Sequence, residues 1–142
     1  MESQDNLVYV QDAMIASYSG SGTITLGEGA VLRNFGGMSA VRVTGGSKVI
    51  MESDSFIEDT TVKDRTKGNG GTGAAGAIWL QDGIFEMKNG AEIRNLIGRA
   101  VYADPGEIEI DGTISGITAD ADMWQKKDGA AIHLRNEGAV LC

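Results

Sequence analysis

The sequence holds one cysteine, one proline and one histidine in 142 residues. A lone cysteine, Cys142, excludes an intrachain disulfide framework and any multi-cysteine zinc site. A lone histidine, His133, excludes histidine-rich metal sites and leaves little room for a Ser-His-Asp or Cys-His catalytic set. One proline excludes a proline-rich linker, and the 21 glycines follow no collagen period. No apolar run approaches the roughly 20 residues that a membrane-spanning helix needs. Positive charge is also short, with 12 basic against 20 acidic residues and a net charge of −8. Nucleic acid and anionic membranes are polyanions, so neither is expected as a partner. The first residues, MESQDN, are acidic and polar and do not have the pattern of a signal peptide. What remains is 42% hydrophobic residues, enough for a core in one domain spanning residues 1–142.

Those hydrophobic residues repeat. GTITLGEGAVLRN from Gly22, GIFEMKNGAEIRN from Gly83 and GEIEIDGTISG from Gly106 align directly, and GSKVIMESDSFIED from Gly46 aligns with one extra residue. Each unit opens with glycine, an apolar-x-apolar triplet, a polar corner and a further apolar position. A second triplet closes each unit, in SAVRVT, GAIWLQD, RAVYAD and AAIHLRN, with NLVYVQD ahead of them. The shortest unit is about 23 residues, the length of a solenoid coil. Longer units carry insertions, all near one corner: residues 36–39, 60–76, 96–99 and 117–130. Residues 14–21 fit the unit poorly and read as an insertion or a distorted first coil.

Alternation within the triplets is the period-2 signal of strands with one buried face. The expected inward columns are Ile24/Val49/Phe85/Ile108/Val140 and Leu26/Met51/Met87/Ile110/Cys142 on the opening strand. The middle strand gives Leu32/Ile57/Ile93/Ile114. The closing strand gives Val8/Val41/Ile78/Val101/Ile132 and Val10/Val43/Leu80/Ala103/Leu134. The expected fold is all-β, a right-handed parallel β-helix with three short strands per coil.

On these residues the chain resembles the right-handed parallel β-helix (pectate-lyase-like) superfamily, especially β-helical passenger segments of bacterial surface proteins. The glycine-alanine-aliphatic triplets at Gly76–Ile78 and Gly129–Ile132 look like those of such passengers. Asn34, Asp59 and Asn95 fall at equivalent corners and resemble the superfamily's stacked asparagine ladder, with Asp59 and Gly116 departing from it. The resemblance implies a secreted or surface location and a structural or adhesive role, with a glycan or host-surface protein as partner and no cofactor. Neither end carries a polar cap, so the chain reads as a segment of a longer solenoid or as a short protein that caps itself by pairing with a second copy.

With the inward positions taken by the core, function falls on outward positions and loops. The closing strand offers Tyr9, Arg42, Trp79, Tyr102 and His133, one per coil. This row reads either as a flat aromatic and cationic stripe for a glycan or as a structural ladder of stacked rings. On the opening strand Glu86 and Glu109 fall on neighbouring coils, where a paired acid and base would make a polysaccharide hydrolase or lyase. The first reading of the pair is nevertheless a solvated acidic face, with a cation site as the next alternative. Arg33, Glu58 and Arg94 alternate in sign and read as an ion-pair ladder, as do Glu52, Lys88 and Asp111. In the last long loop, Trp124 is an exposed contact candidate, and Asp120, Asp122 and Asp128 are weak calcium ligands, since Trp124 and Gln125 occupy positions where oxygen donors belong.

Overall fold

The computed structural model describes residues 9–18, 21–34, 36–62, 76–118, 131–134 and 140–141. Among them the chain forms fourteen strands and no helix, so none is long and apolar enough to cross a membrane. In chain order they are β1 (Tyr9–Ser17), β2 (Thr23–Leu26), β3 (Val31–Arg33), β4 (Gly36–Thr44), β5 (Lys48–Met51), β6 (Phe56–Val62) and β7 (Ile78–Gln81), followed by β8 (Gly83–Met87), β9 (Glu92–Ile97), β10 (Val101–Ala103), β11 (Gly106–Ile110), β12 (Thr113–Thr118), β13 (Ile132–Leu134) and β14 (Val140–Leu141).

Two parallel sheets result. The opening strands of the repeat form a five-stranded sheet in the order β14-β11-β8-β5-β2. The middle and closing strands share one nine-stranded sheet, ordered β12-β9-β6-β4-β7-β10-β13, with β1 on β4 and β3 on β6. Strand β4 joins the two sets. Its start, Gly36 and Gly37, pairs with Thr61 and Val62 of β6, and its end, Val41–Thr44, pairs with Ile78–Gln81 of β7. Residues 36–39, expected as an insertion, therefore extend a strand. The other expected insertions shrink in the same way, because β1 reaches Ser17, β6 reaches Val62, β9 reaches Ile97 and β12 reaches Thr118.

The register follows the repeat. Val49 pairs with Ile24 and Phe85, and Phe85 with Ile108. Ile57 pairs with Leu32 and Ile93, and Ile93 with Ile114. Ile78 lies between Val41 and Val101. Val41, Val49, Ile57, Ile78, Phe85, Ile93, Val101 and Ile108 are all wholly buried, which places the core along these columns. Two end rungs differ from expectation. Leu141, and not Val140, pairs with Ile108. In β1 the partner of Val41 is Ile15, because the register slips between Val10 and Ala13. Val8 and Cys142, assigned to the same columns, lie outside the described residues.

Corners stack as regularly as strands. The Gly29 amide donates to the Asp54 carbonyl and the Asp54 amide to the Gly90 carbonyl. The Asn34 amide donates to Asp59, and the Gly46 and Asp82 amides donate to Asp82 and Pro105. At the glycine that opens a unit there is no room for a side chain: a Cβ on Gly83 would lie 2.6 Å from Val43 Cγ2.

Candidate functional site

Parallel pairing puts Ala16, Arg42, Trp79, Tyr102 and His133 in one row across five strands. Tyr9 is not in that row. The slip in β1 sets its backbone opposite Gly36 and brings Ala16 beside Arg42. Nor is the row a flat open stripe, since Trp79 is 5% exposed and Tyr102 1%. The side chains close over one another. The Arg42 guanidinium lies 3.9 Å from the Trp79 ring centroid, with Tyr18 5.3 Å away. Its Nε donates to Gln81 Oε1 at 3.0 Å, and Nη2 donates to the same oxygen. Trp79 meets Tyr102 edge-on at 6.4 Å, and Tyr102 stacks on His133 at 5.1 Å and 19°. Arg99, itself 2% exposed, lies 5.2 Å from the Tyr102 ring, and Met38 packs on the pair. Stacking on a sugar needs a free ring face, and Trp79 has a face under Arg42 while Tyr102 has its faces on His133 and Arg99. The Trp79 indole Nε1–H is buried and has no hydrogen-bond partner among the described residues.

Glu86 and Glu109 do sit opposite each other on β8 and β11. Glu86 is held by two ammonium groups, Lys48 Nζ at 2.6 Å from Oε1 and Lys88 Nζ at 3.1 Å from Oε2. Hydrogen bonds from Lys48, then Lys88, hold its carboxyl below the ordinary 4.5. A general acid requires the opposite shift. The sequence reading passes over Lys48 and assigns Lys88 to a ladder with Glu52 and Asp111 instead. Both lysines were legible as the cation diagonal to Glu86 and the cation two positions after it on the same strand face. Beside the pair runs a shallow hollow of about 170 Å³ lined by Lys48, Ile84, Glu86, Glu107, Ile108 and Glu109. No three His, Cys, Asp or Glu side chains converge on a metal position among the described residues.

The middle strands carry the expected ion ladder. Glu58 takes Arg94 Nε at 2.7 Å and Arg33 Nη1 at 3.9 Å, and Arg94 Nη1 also reaches Glu92 at 2.6 Å. Glu58, foremost, raises the Arg94 pKa further. Lys88 turns to Glu86 rather than closing the second expected ladder with Glu52 and Asp111.

Past that ladder lies a cavity of about 250 Å³, lined by Asn34, Asp59, Thr60, Thr61, Asn95 and Ile97. It forms where the chain turns through left-handed backbone at Asn34, Asp59, Asn95 and Gly116 (φ 57°, 52°, 52° and 62°). Asn and Asp tolerate that conformation better than other non-glycine residues. Trp124 and the aspartates Asp120, Asp122 and Asp128 lie outside the described residues.

Comparison with known protein families, with curated proteins and with solved structures finds no match.

Proposed function

We propose that the chain is a segment of a right-handed parallel β-helix, resembling passenger segments of surface proteins, and that it serves outside the cell as a non-catalytic scaffold. The observation that carries this reading is how outward side chains are used. Successive rungs spend them on one another, in Arg42–Trp79–Tyr102–His133, in Arg33–Glu58–Arg94 and in Lys48–Glu86–Lys88. All of these contacts but Glu86–Lys88, which lies within one unit, tie one rung to the next, which is how a solenoid fixes its register. The stacked corners support the same reading, since each donates a backbone hydrogen bond to its counterpart one unit along. Contact with a glycan or a host-surface protein, and pairing of copies through the edge strands β2 and β12, belong to this proposal.

Two assays on the purified chain test it. The scaffold reading expects no release of reducing ends or unsaturated sugars from a polysaccharide panel. It also expects Trp79→Ala/Tyr102→Ala to lose stability without losing any glycan signal that the wild type gives on an array. Sugar release abolished by Glu86→Gln would instead establish an enzyme. Glycan capture lost in a folded double variant would restore the aromatic row as a binding face.

A further inference from the structure

In the first three units a four-residue corner joins the opening strand to the middle strand, at residues 27–30, 52–55 and 88–91. The fourth unit joins Ile110 to Thr113, the partners of Met87 and Glu92, through Asp111 and Gly112 alone. This shorter corner cuts straight across. Its Asp111 amide donates to the Met87 carbonyl at 2.8 Å and its Thr113 amide to the Ala91 carbonyl at 3.0 Å, so it passes by Lys88, Asn89 and Gly90. Those three residues are exposed. The stack of corner amides also stops there. Gly29 donates to Asp54 and Asp54 to Gly90, but no backbone carbonyl among the described residues accepts the Gly90 amide. The Asn89 carboxamide makes no hydrogen bond among the described residues. Lys88–Ala91 is a turn closed by the Ala91 amide on the Lys88 carbonyl at 3.1 Å, with Gly90 at φ 90° in third position, the type II pattern.

We propose that Asn89 is a site of spontaneous modification by water, converting to aspartate and isoaspartate while the chain is folded. The Gly90 nitrogen attacks Cγ of Asn89 and forms a C–N bond. The carboxamide nitrogen leaves as ammonia, carrying the proton that the Gly90 amide gives up. Water then opens the cyclic imide that results. Addition at the side-chain carbonyl restores the main chain with aspartate at position 89. Addition at the main-chain carbonyl leaves isoaspartate, whose link to Gly90 runs through the side chain. Water enters, ammonia departs, and nothing is oxidised or reduced. Glycine leaves the attacking nitrogen least shielded, because it has no side chain. The closed turn keeps the carboxamide away from that nitrogen, so the reaction draws on brief openings of the corner. Such openings cost little where the next corner passes by and the backbone faces water. Asn34 and Asn95 precede Phe35 and Leu96, whose side chains do shield the nitrogen. Isoaspartate lengthens the main chain by a methylene in the corner whose Gly90 carbonyl accepts the Asp54 amide at 3.1 Å, and so loosens the third unit from the second. The inference rests on this corner alone and stands whether or not the chain is a scaffold.

The test incubates the folded full chain in ¹⁸O-labelled water at body temperature and mildly alkaline pH. Trypsin digestion in ordinary water and mass spectrometry then locate the heavy oxygen. Cleavage after Lys88 and Arg94 isolates residues 89–94 from Asn69, which also precedes glycine and lies outside the described residues. A parallel arm holds the chain unfolded in guanidinium chloride. The expected result is heavy oxygen in the 89–94 peptide, as separable aspartate and isoaspartate forms, accumulating about tenfold or more faster than at Asn34 and Asn95. The isoaspartate chain should melt below Asn89→Asp, which carries the same charge on an unlengthened main chain. No label at Asn89 in the folded chain, while the unfolded arm takes it up, would overturn the proposal. So would labelling no faster than at Asn34 and Asn95. A melt equal to that of Asn89→Asp would overturn the loosening of the corner.

Discussion

Trp79 shows how much one outward residue does here. Its ring lies under Arg42 and against Tyr102, and it is as buried as many core positions. Truncating a buried tryptophan removes its burial and leaves a cavity, so Trp79→Ala is expected to cost about 3–5 kcal/mol in urea unfolding. Arg42→Ala keeps the ring and loses the cation over it, for about 0.5–2 kcal/mol. A Trp79→Ala cost no larger than that of Arg42→Ala would mean that the ring is not buried as described. Gly116 gives a second residue-scale case. Its φ is +62°, and a Cβ there would stand 2.8 Å from Asn95 Oδ1. Backbone strain at such a position costs on the order of 1–3 kcal/mol, so Gly116→Ala destabilises by that much or more. Adding Asn95→Ala removes the clashing oxygen and should recover part of the loss, and a double-mutant cycle with no coupling would dismiss the contact.

At the scale of strands, the opening sheet concentrates its electrostatics on Glu86. The unfolded chain binds this proton near the ordinary 4.5, and the folded chain binds it only at lower pH because Lys48 and Lys88 hold the carboxylate. Its contribution is therefore complete above about pH 4.5 and is lost as pH falls toward the folded value. Lys88 works in the opposite sense: its pKa lies above 10.5, so its share is complete below that and fades as pH rises through the folded value. Melting temperatures between pH 7 and 3 should fall less steeply for Glu86→Gln than for the wild type, and parallel curves would discount the ladder. The columns of Val49, Phe85 and Ile108, or Ile57 and Ile93, were legible from alternation alone because a period of two fixes which face a side chain takes. Alternation does not say what covers the outer face, so the burial of Trp79 and Tyr102 was not legible. Nor does it register a slip inside a strand, so Tyr9 was aligned with Arg42 where β1 places Ala16. The corner cavity was half legible. The equivalence of Asn34, Asp59 and Asn95 could be read from the repeat, but the cavity itself depends on how neighbouring rungs pack.

For the whole molecule, what matters is that every sheet pairing among the described residues is parallel and joins strands from different units. Ile24 must find Val49, and Val49 must find Phe85 across a long intervening segment. Closing such loops costs chain entropy before any contact repays it, so folding is slowed by topology rather than by weak packing. Each rung also offers its edge to the next, so growth proceeds by addition to a formed pair. The first pair is then the barrier, and rungs around the wholly buried Phe85 and Ile93 are best placed to form it. Refolding from urea, followed by the fluorescence of Trp79 in a Trp124→Phe background, is expected to take on the order of a second rather than the microseconds of a helical bundle. Phe85→Ala should slow folding as well as reduce stability, whereas Ile24→Ala, on the edge strand β2, should mainly speed unfolding. A refolding time that Phe85→Ala leaves unchanged would move nucleation away from the central rungs.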